Sequence, residues 1–191
     1  MGNYPYIIAG LPGLVLDYES RPFNYTALVQ SIKEKCSEKD NRLIAWLESG
    51  LNQDSRSRYF YTAVEKTGSK FLKEFFNFDL YVRNAKVAWL EGNSIEDDSD
   101  DYAKLSKAFA VTDLIEREKL IDRIMWDKID NIVLFELFNM NVILAFIAKA
   151  AIVSRWSRLD QKTGEEFFRT LVGEVRGTFK GVSYDPNENN K

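Results

Sequence analysis

The stretch Ile132-Val133-Leu134-Phe135-Glu136-Leu137-Phe138-Asn139-Met140-Asn141-Val142-Ile143-Leu144-Ala145-Phe146-Ile147-Ala148-Lys149-Ala150-Ala151-Ile152-Val153 is the strongest apolar run in the chain. Its length permits a membrane span, but Glu136, Asn139, Asn141 and Lys149 interrupt it. At about 100° per residue these four scatter around a helix instead of sharing one face. A charge near mid-bilayer is costly, whereas a helix enclosed by others tolerates a few paired polar groups. The run therefore reads as the long apolar central helix of an all-α, multi-helix bundle, with a bend expected near residues 127–131.

Helical spacing continues on both sides. Tyr25, Leu28, Val29 and Ile32 recur at i, i+3, i+4 and i+7. Ser37 and Asp40 form a capping-box pattern ahead of Leu43, Trp46, Leu47 and Leu51, with Gly50 expected to end that helix. A break is expected at Gly68, and a helix from Asp79 to Leu90 stops before Gly92. Gly92-Asn93-Ser94 and the acidic residues Glu96, Asp97, Asp98, Asp100 and Asp101 read as a solvated loop, because like charges this dense repel one another and bury nothing. Helix resumes over 102–111. Thr112 or Asp113 then caps a long helix with Leu114, Ile121, Met125, Ile129 and Ile132 on one face. Thr163 and Glu166 match a further capping box before Phe167, Phe168, Leu171, Val172, Val175 and Phe179. The expected organisation is two packed helical sub-bundles, 1–92 and 102–183, joined by the acidic loop 93–101 and followed by a polar tail, 184–191. A single domain over 1–183 is the alternative.

Composition narrows the chemistry. The 191 residues include no histidine, which removes His-based acid–base catalysis, catalytic triads and nearly all zinc sites. Cys36 is the only cysteine, so no intrachain disulfide forms, and without a histidine base it reads as a structural or incidental thiol. A lone thiol suits the cytosol. The net charge of −3 argues against a nucleic-acid binder with a broad basic face. Gly10-Leu11-Pro12-Gly13 has neither phosphate-loop spacing and reads as a turn.

Two patterns remain. Asp97, Asp98 and Asp101 match the D-D-x-x-D arrangement by which helical isoprenoid synthases hold magnesium against a diphosphate. The position after Gly-Asn-Ser and the lack of a second aspartate-rich helix favour a solvated loop instead. Arg155, Arg158 and Lys162 alternate with Trp156 and Leu159. They read either as an anion or partner contact or as cations suited to a helix C-terminus. No catalytic residues, cofactor or metal are assigned, and binding is the expected activity.

Four stretches carry a resemblance that spans nearly the whole chain. They are Tyr4-Pro5-Tyr6-Ile7-Ile8-Ala9-Gly10-Leu11-Pro12 with Leu16-Asp17, Leu120-Ile121-Asp122-Arg123-Ile124-Met125-Trp126-Asp127, Arg155-Trp156-Ser157-Arg158-Leu159-Asp160, and Gly164-Glu165-Glu166-Phe167-Phe168. Together they resemble a bacterial family of unknown function whose genes lie in V/A-type ATPase operons of Bacteroidetes-type bacteria. The resemblance implies an accessory or central-stalk subunit, related to the C/d subunit that joins the rotor shaft to the membrane proteolipid ring. Asp79-Leu80-Tyr81-Val82-Arg83-Asn84-Ala85-Lys86 is similar to a C-subunit helix in which an Asp precedes Asn-Leu-Lys, with Ala85 in place of the Leu. The C subunit itself is longer than this chain. The implied protein is non-catalytic, cytoplasmic and peripheral at the inner face of the cell membrane. Its expected partners are other ATPase subunits and not nucleic acid, and Arg83, Asn84, Arg155, Trp156 and Arg158 are its candidate contact residues. A magnesium-dependent diphosphate enzyme using Asp97, Asp98 and Asp101, and a helical adaptor of another pathway, are the rival readings.

Overall fold

Seven of the helix starts carry a side-chain oxygen cap, and these caps set the frame of the fold. Asn24, Ser37, Ser57, Ser69, Ser99, Asp113 and Asn139 each accept a hydrogen bond from a backbone N–H in the first turn that follows. The computed structural model describes residues 3–18, 22–52, 56–92 and 99–158. Every regular element among them is an α-helix: α1 (Tyr4–Ala9), α2 (Tyr25–Lys33), α3 (Glu38–Leu51), α4 (Arg58–Glu65), α5 (Lys70–Leu90), α6 (Asp100–Phe109), α7 (Leu114–Val133) and α8 (Met140–Ser157). The all-α bundle is thus the observed fold. The expected helix over 163–179, the tail 184–191 and most of the acidic loop, including Asp97 and Asp98, lie outside the described residues.

Helix α8 is the centre. Ile143, Leu144, Ile147 and Ala150 are fully buried, and α1, α2, α3, α5 and α7 all pack on it. It is also long and apolar enough to cross a membrane by length and composition, with half of its residues buried against its neighbours. One apolar cluster joins α8 to Val29, Ile44, Leu47, Phe60, Phe71 and Phe76. A second gathers Phe78, Val82 and Ala85 of α5 with Leu105 and Phe109 of α6. Helix α5 passes through both, and the half-buried Met125 of α7 packs against each.

Five expectations need correction. The apolar run is not one helix with a bend at 127–131. It ends α7 at Val133, turns through residues 134–139 and starts α8 at Met140. Asn139 makes the break, since its extended backbone and side-chain oxygen, which accepts from the Asn141 and Val142 N–H groups, begin a new helix. Second, α5 does not begin at Asp79. Ser69 caps it, and Phe71, Leu72, Phe75, Phe76 and Phe78 carry the buried stripe straight into the later part. Third, Leu114 leaves the predicted α7 face and is exposed, whereas Asp122 and Trp126 are buried with Ile129 and Ile132. Asp100 and Asp101, read as the end of the acidic loop, form the first turn of α6, where carboxylates suit the positive end of the helix dipole.

The fifth concerns Gly50, which does not end α3. It lies buried one residue before the last position of that helix, and a Cβ there would run into the rings of Phe60 and Phe76, which meet edge to face at 4.9 Å. The glycine is required by this close approach. Gly50→Ala should therefore destabilise the fold by about 1–3 kcal/mol through overpacking, outweighing the ~1 kcal/mol that alanine gains in helix propensity. The midpoint of chemical denaturation measures the balance.

Candidate functional site

The polar residues that interrupt the apolar run have structural partners. Glu136 lies in the turn and accepts hydrogen bonds from Asn139 Nδ2 and from Lys70 Nζ at 3.5 Å, which hold its carboxyl below the usual range. Asn141 Oδ1 accepts from Ser69 Oγ at 3.3 Å and from the Phe71 N–H at 3.4 Å, fastening the start of α8 to the start of α5. Lys149 pairs with Asp130 and lies 4.5 Å from the centroid of the Trp126 ring.

Folding the turn away from the core leaves its apolar side chains outside. Phe135 is 91% exposed, and Leu134, Leu137 and Phe138 are exposed beside it. The Lys70–Glu136 contact places this turn at the start of α5, and Lys128 of α7 over the Phe78 ring shows that α7 runs antiparallel to α5. Val87 and Leu90 are exposed about 25 Å further along α5, at 1.5 Å per residue. Leu114 and Ile115, exposed at the start of α7, lie toward that same far end. The body therefore carries exposed apolar side chains at both ends.

Between the ends lies a groove of about 530 Å³ formed by α5, α7 and α8 and walled by α2 and α3. Arg83, Arg155 and Arg158, three of the residues singled out in the sequence, line it together. Lys86, the last residue of the Asp79–Lys86 stretch, and Arg56, which no motif marked, line it as well. The cations do not face solvent alone. Asp79 Oδ1 accepts from Arg56 Nη1 at 2.7 Å, and its other oxygen accepts from Arg83 Nε at 3.0 Å and from the Tyr61 hydroxyl at 3.3 Å. Burial pushes the Arg56 guanidinium below its usual range, against the opposing pull of Asp79. The Tyr25 hydroxyl is buried in the wall without a hydrogen-bond partner, and burial together with Glu48 pushes it up to about 12.

Asn84 is exposed on α5 and does not line the groove. Trp156 is buried, and its indole N–H donates to Asp122 Oδ2 at 2.5 Å. The same oxygen accepts from Arg155 Nη2, while Arg155 Nη1 lies 3.8 Å from Glu118. The Tyr18 ring meets Trp156 edge-on at 5.2 Å, and its hydroxyl donates to the Lys119 carbonyl at 2.8 Å. Trp156 thus belongs to an internal lock that ties the N-terminal arm to α7 and α8.

Asp101, the described member of the D-D-x-x-D pattern, pairs with Lys128 at 2.9 Å. No group of three potential ligands is placed to hold a metal ion among the described residues. Cys36 is half-buried, and burial followed by the nearby Asp40 raises its thiol, the reverse of activation.

Residues 93–178 match the family described as "Protein of unknown function (DUF2764)". The matched stretch takes in α6, α7, the exposed turn and α8. No curated protein and no solved structure matches the chain.

Asp122 is the most testable polar group here. Burial raises its carboxyl above the ordinary 3.8, and Arg155 and Trp156 only partly offset this. Asp122→Ala should cost about 1–3 kcal/mol by stranding the buried indole N–H, while Asp122→Asn keeps an acceptor and should cost less. Because the folded carboxyl holds its proton more tightly than the unfolded one, its contribution to stability is full below pH 3.8 and is lost as pH rises through the raised value. Denaturant titrations across that window should show wild type losing stability relative to Asp122→Asn as pH rises.

Proposed function

We propose that the protein is a non-catalytic accessory or central-stalk subunit of a V/A-type rotary ATPase, cytoplasmic and peripheral at the inner face of the membrane. The observation that carries this reading is the apolar turn Leu134-Phe135-Glu136-Leu137-Phe138, held out from the bundle at one end while Val87, Leu90, Leu114 and Ile115 are exposed toward the other. Aromatic and aliphatic side chains offered on a well-packed helical body suit anchoring in a partner's pocket. Apolar contacts at opposite ends suit a part that couples two others, such as a rotor shaft and a proteolipid ring. The sequence resemblance to a family encoded beside ATPase genes names the assembly.

The test is affinity purification of the tagged full chain from its native cell. Rotor-shaft and catalytic-head subunits should co-purify with wild type and be lost with the Phe135→Asp/Leu137→Asp double variant. Since both side chains are already solvated, thermal stability should stay within about 0.5 kcal/mol of wild type. Recovery of the tagged protein without any ATPase subunit, under conditions where the ATPase itself stays intact, would sink the reading.

A further inference from the structure

We propose that residues 12–18 form a releasable strap that opens and closes over Trp156 while the helical bundle stays folded. The segment has no regular structure and leads from the turn after α1 to the α7 and α8 residues around Trp156. The Leu11 N–H, which donates to the Ile8 carbonyl at 3.2 Å, makes the last backbone–backbone hydrogen bond before it, and among the described residues none follows over 12–16. Side chains hold the segment instead. Leu16 is 7% exposed, and its carbonyl lies 3.5 Å from the Arg123 guanidinium. Tyr18 supplies the other anchor through its edge-on contact with Trp156 and its hydroxyl bond to the Lys119 carbonyl.

Two features oppose these anchors. Among the described residues Tyr18 is the one non-glycine with a positive φ, 56°, a left-handed backbone that a bulky side chain rarely adopts. Such a conformation persists only while its surroundings hold it, and it relaxes when they let go. The middle of the strap also takes little from the body, since Pro12 and Val15 are exposed and a Cβ at Gly13 would meet open space. Ordering these residues costs conformational entropy with little burial in return. A segment held at few points, with strain at one of them, opens locally without unfolding the helices beneath. Closed, the strap covers Trp156, whose indole N–H binds the same Asp122 oxygen as Arg155. Open, it uncovers the Trp156 ring beside Asp122 and Arg155, both of which line the groove.

Thiol-labelling kinetics with an aromatic disulfide reagent test the strap in the full chain. In a Cys36→Ser background, a single cysteine is placed in the strap as Leu16→Cys or in the α8 core as Ile147→Cys, both at buried positions. Each rate is compared with that of the same variant unfolded in strong denaturant. The thiol at position 16 should be protected, yet react at least about tenfold faster than the one at position 147, because the strap opens without the bundle. Its rate should stay nearly flat in low urea, since little surface is exposed, whereas the rate at position 147 climbs steeply. Adding Tyr18→Phe should speed labelling at position 16 by about fivefold, the effect of one lost hydrogen bond. Equal protection at the two positions with the same urea dependence would overturn the proposal. So would labelling at position 16 as fast as in the unfolded chain, or a rate there that Tyr18→Phe leaves unchanged. Circular dichroism verifies folding, and Val64→Cys replaces Ile147→Cys if that variant does not fold.

Discussion

Helix α8 sets the terms for the rest of the molecule, because a helix that is apolar on nearly every side has to be enclosed. Ile143, Leu144, Ile147 and Ala150 are removed from water by five surrounding helices, and the order of those helices follows from that demand. Only one α8 side chain of full charge, Lys149, comes before the last turn, and it is placed where Asp130 and the Trp126 ring receive it. Enclosure also explains the Phe60–Phe76 contact against Gly50. With α3 and α5 both packed on α8, the Phe76 ring of α5 and the Phe60 ring of α4 leave no room for a Cβ at Gly50.

Polar groups then determine how the ends are arranged. Asn139 starts α8, Asn141 pins it to α5, and Glu136 is held by Asn139 and Lys70. Those bonds turn the preceding apolar residues outward. At the opposite end of α8, Asp122 collects Trp156 and Arg155, so a single carboxylate oxygen orients a buried indole and a partly exposed cation. The energetic balance differs between the two ends. At Glu136 the hydrogen bonds from Asn139 and Lys70 outweigh partial burial and favour the charged form, whereas burial at Asp122 disfavours it despite two donors.

The helical character of the chain was legible in the sequence, and so were two of the seven caps. The Ser37–Asp40 box, the break at Gly68 and the Asp113 cap appear where residue chemistry puts them, since capping depends only on neighbours a few residues away. The site was legible only in part. Arg83, Arg155 and Arg158 were marked and do converge, but Arg56 carries no local signal and reaches the groove through packing. Trp156 was marked as a contact and is buried, because its indole found Asp122 in a different helix. The apolar turn was misread for a related reason. Leu134, Phe135, Leu137 and Phe138 have the composition of a core helix, and their outward placement follows from bonds that Glu136 and Asn141 make with α5.

The sequence by itself determined an all-helical chain with no histidine chemistry, a central apolar helix, and the local starts of α3 and α7. Periodicity and capping act over one or two turns and need no tertiary context. Only the tertiary structure decided which apolar residues are buried and which are presented, and which arginines share a groove. Those outcomes depend on contacts between residues far apart in the chain, such as Ser69 with Asn141 and Asp122 with Trp156, and no short-range pattern encodes them.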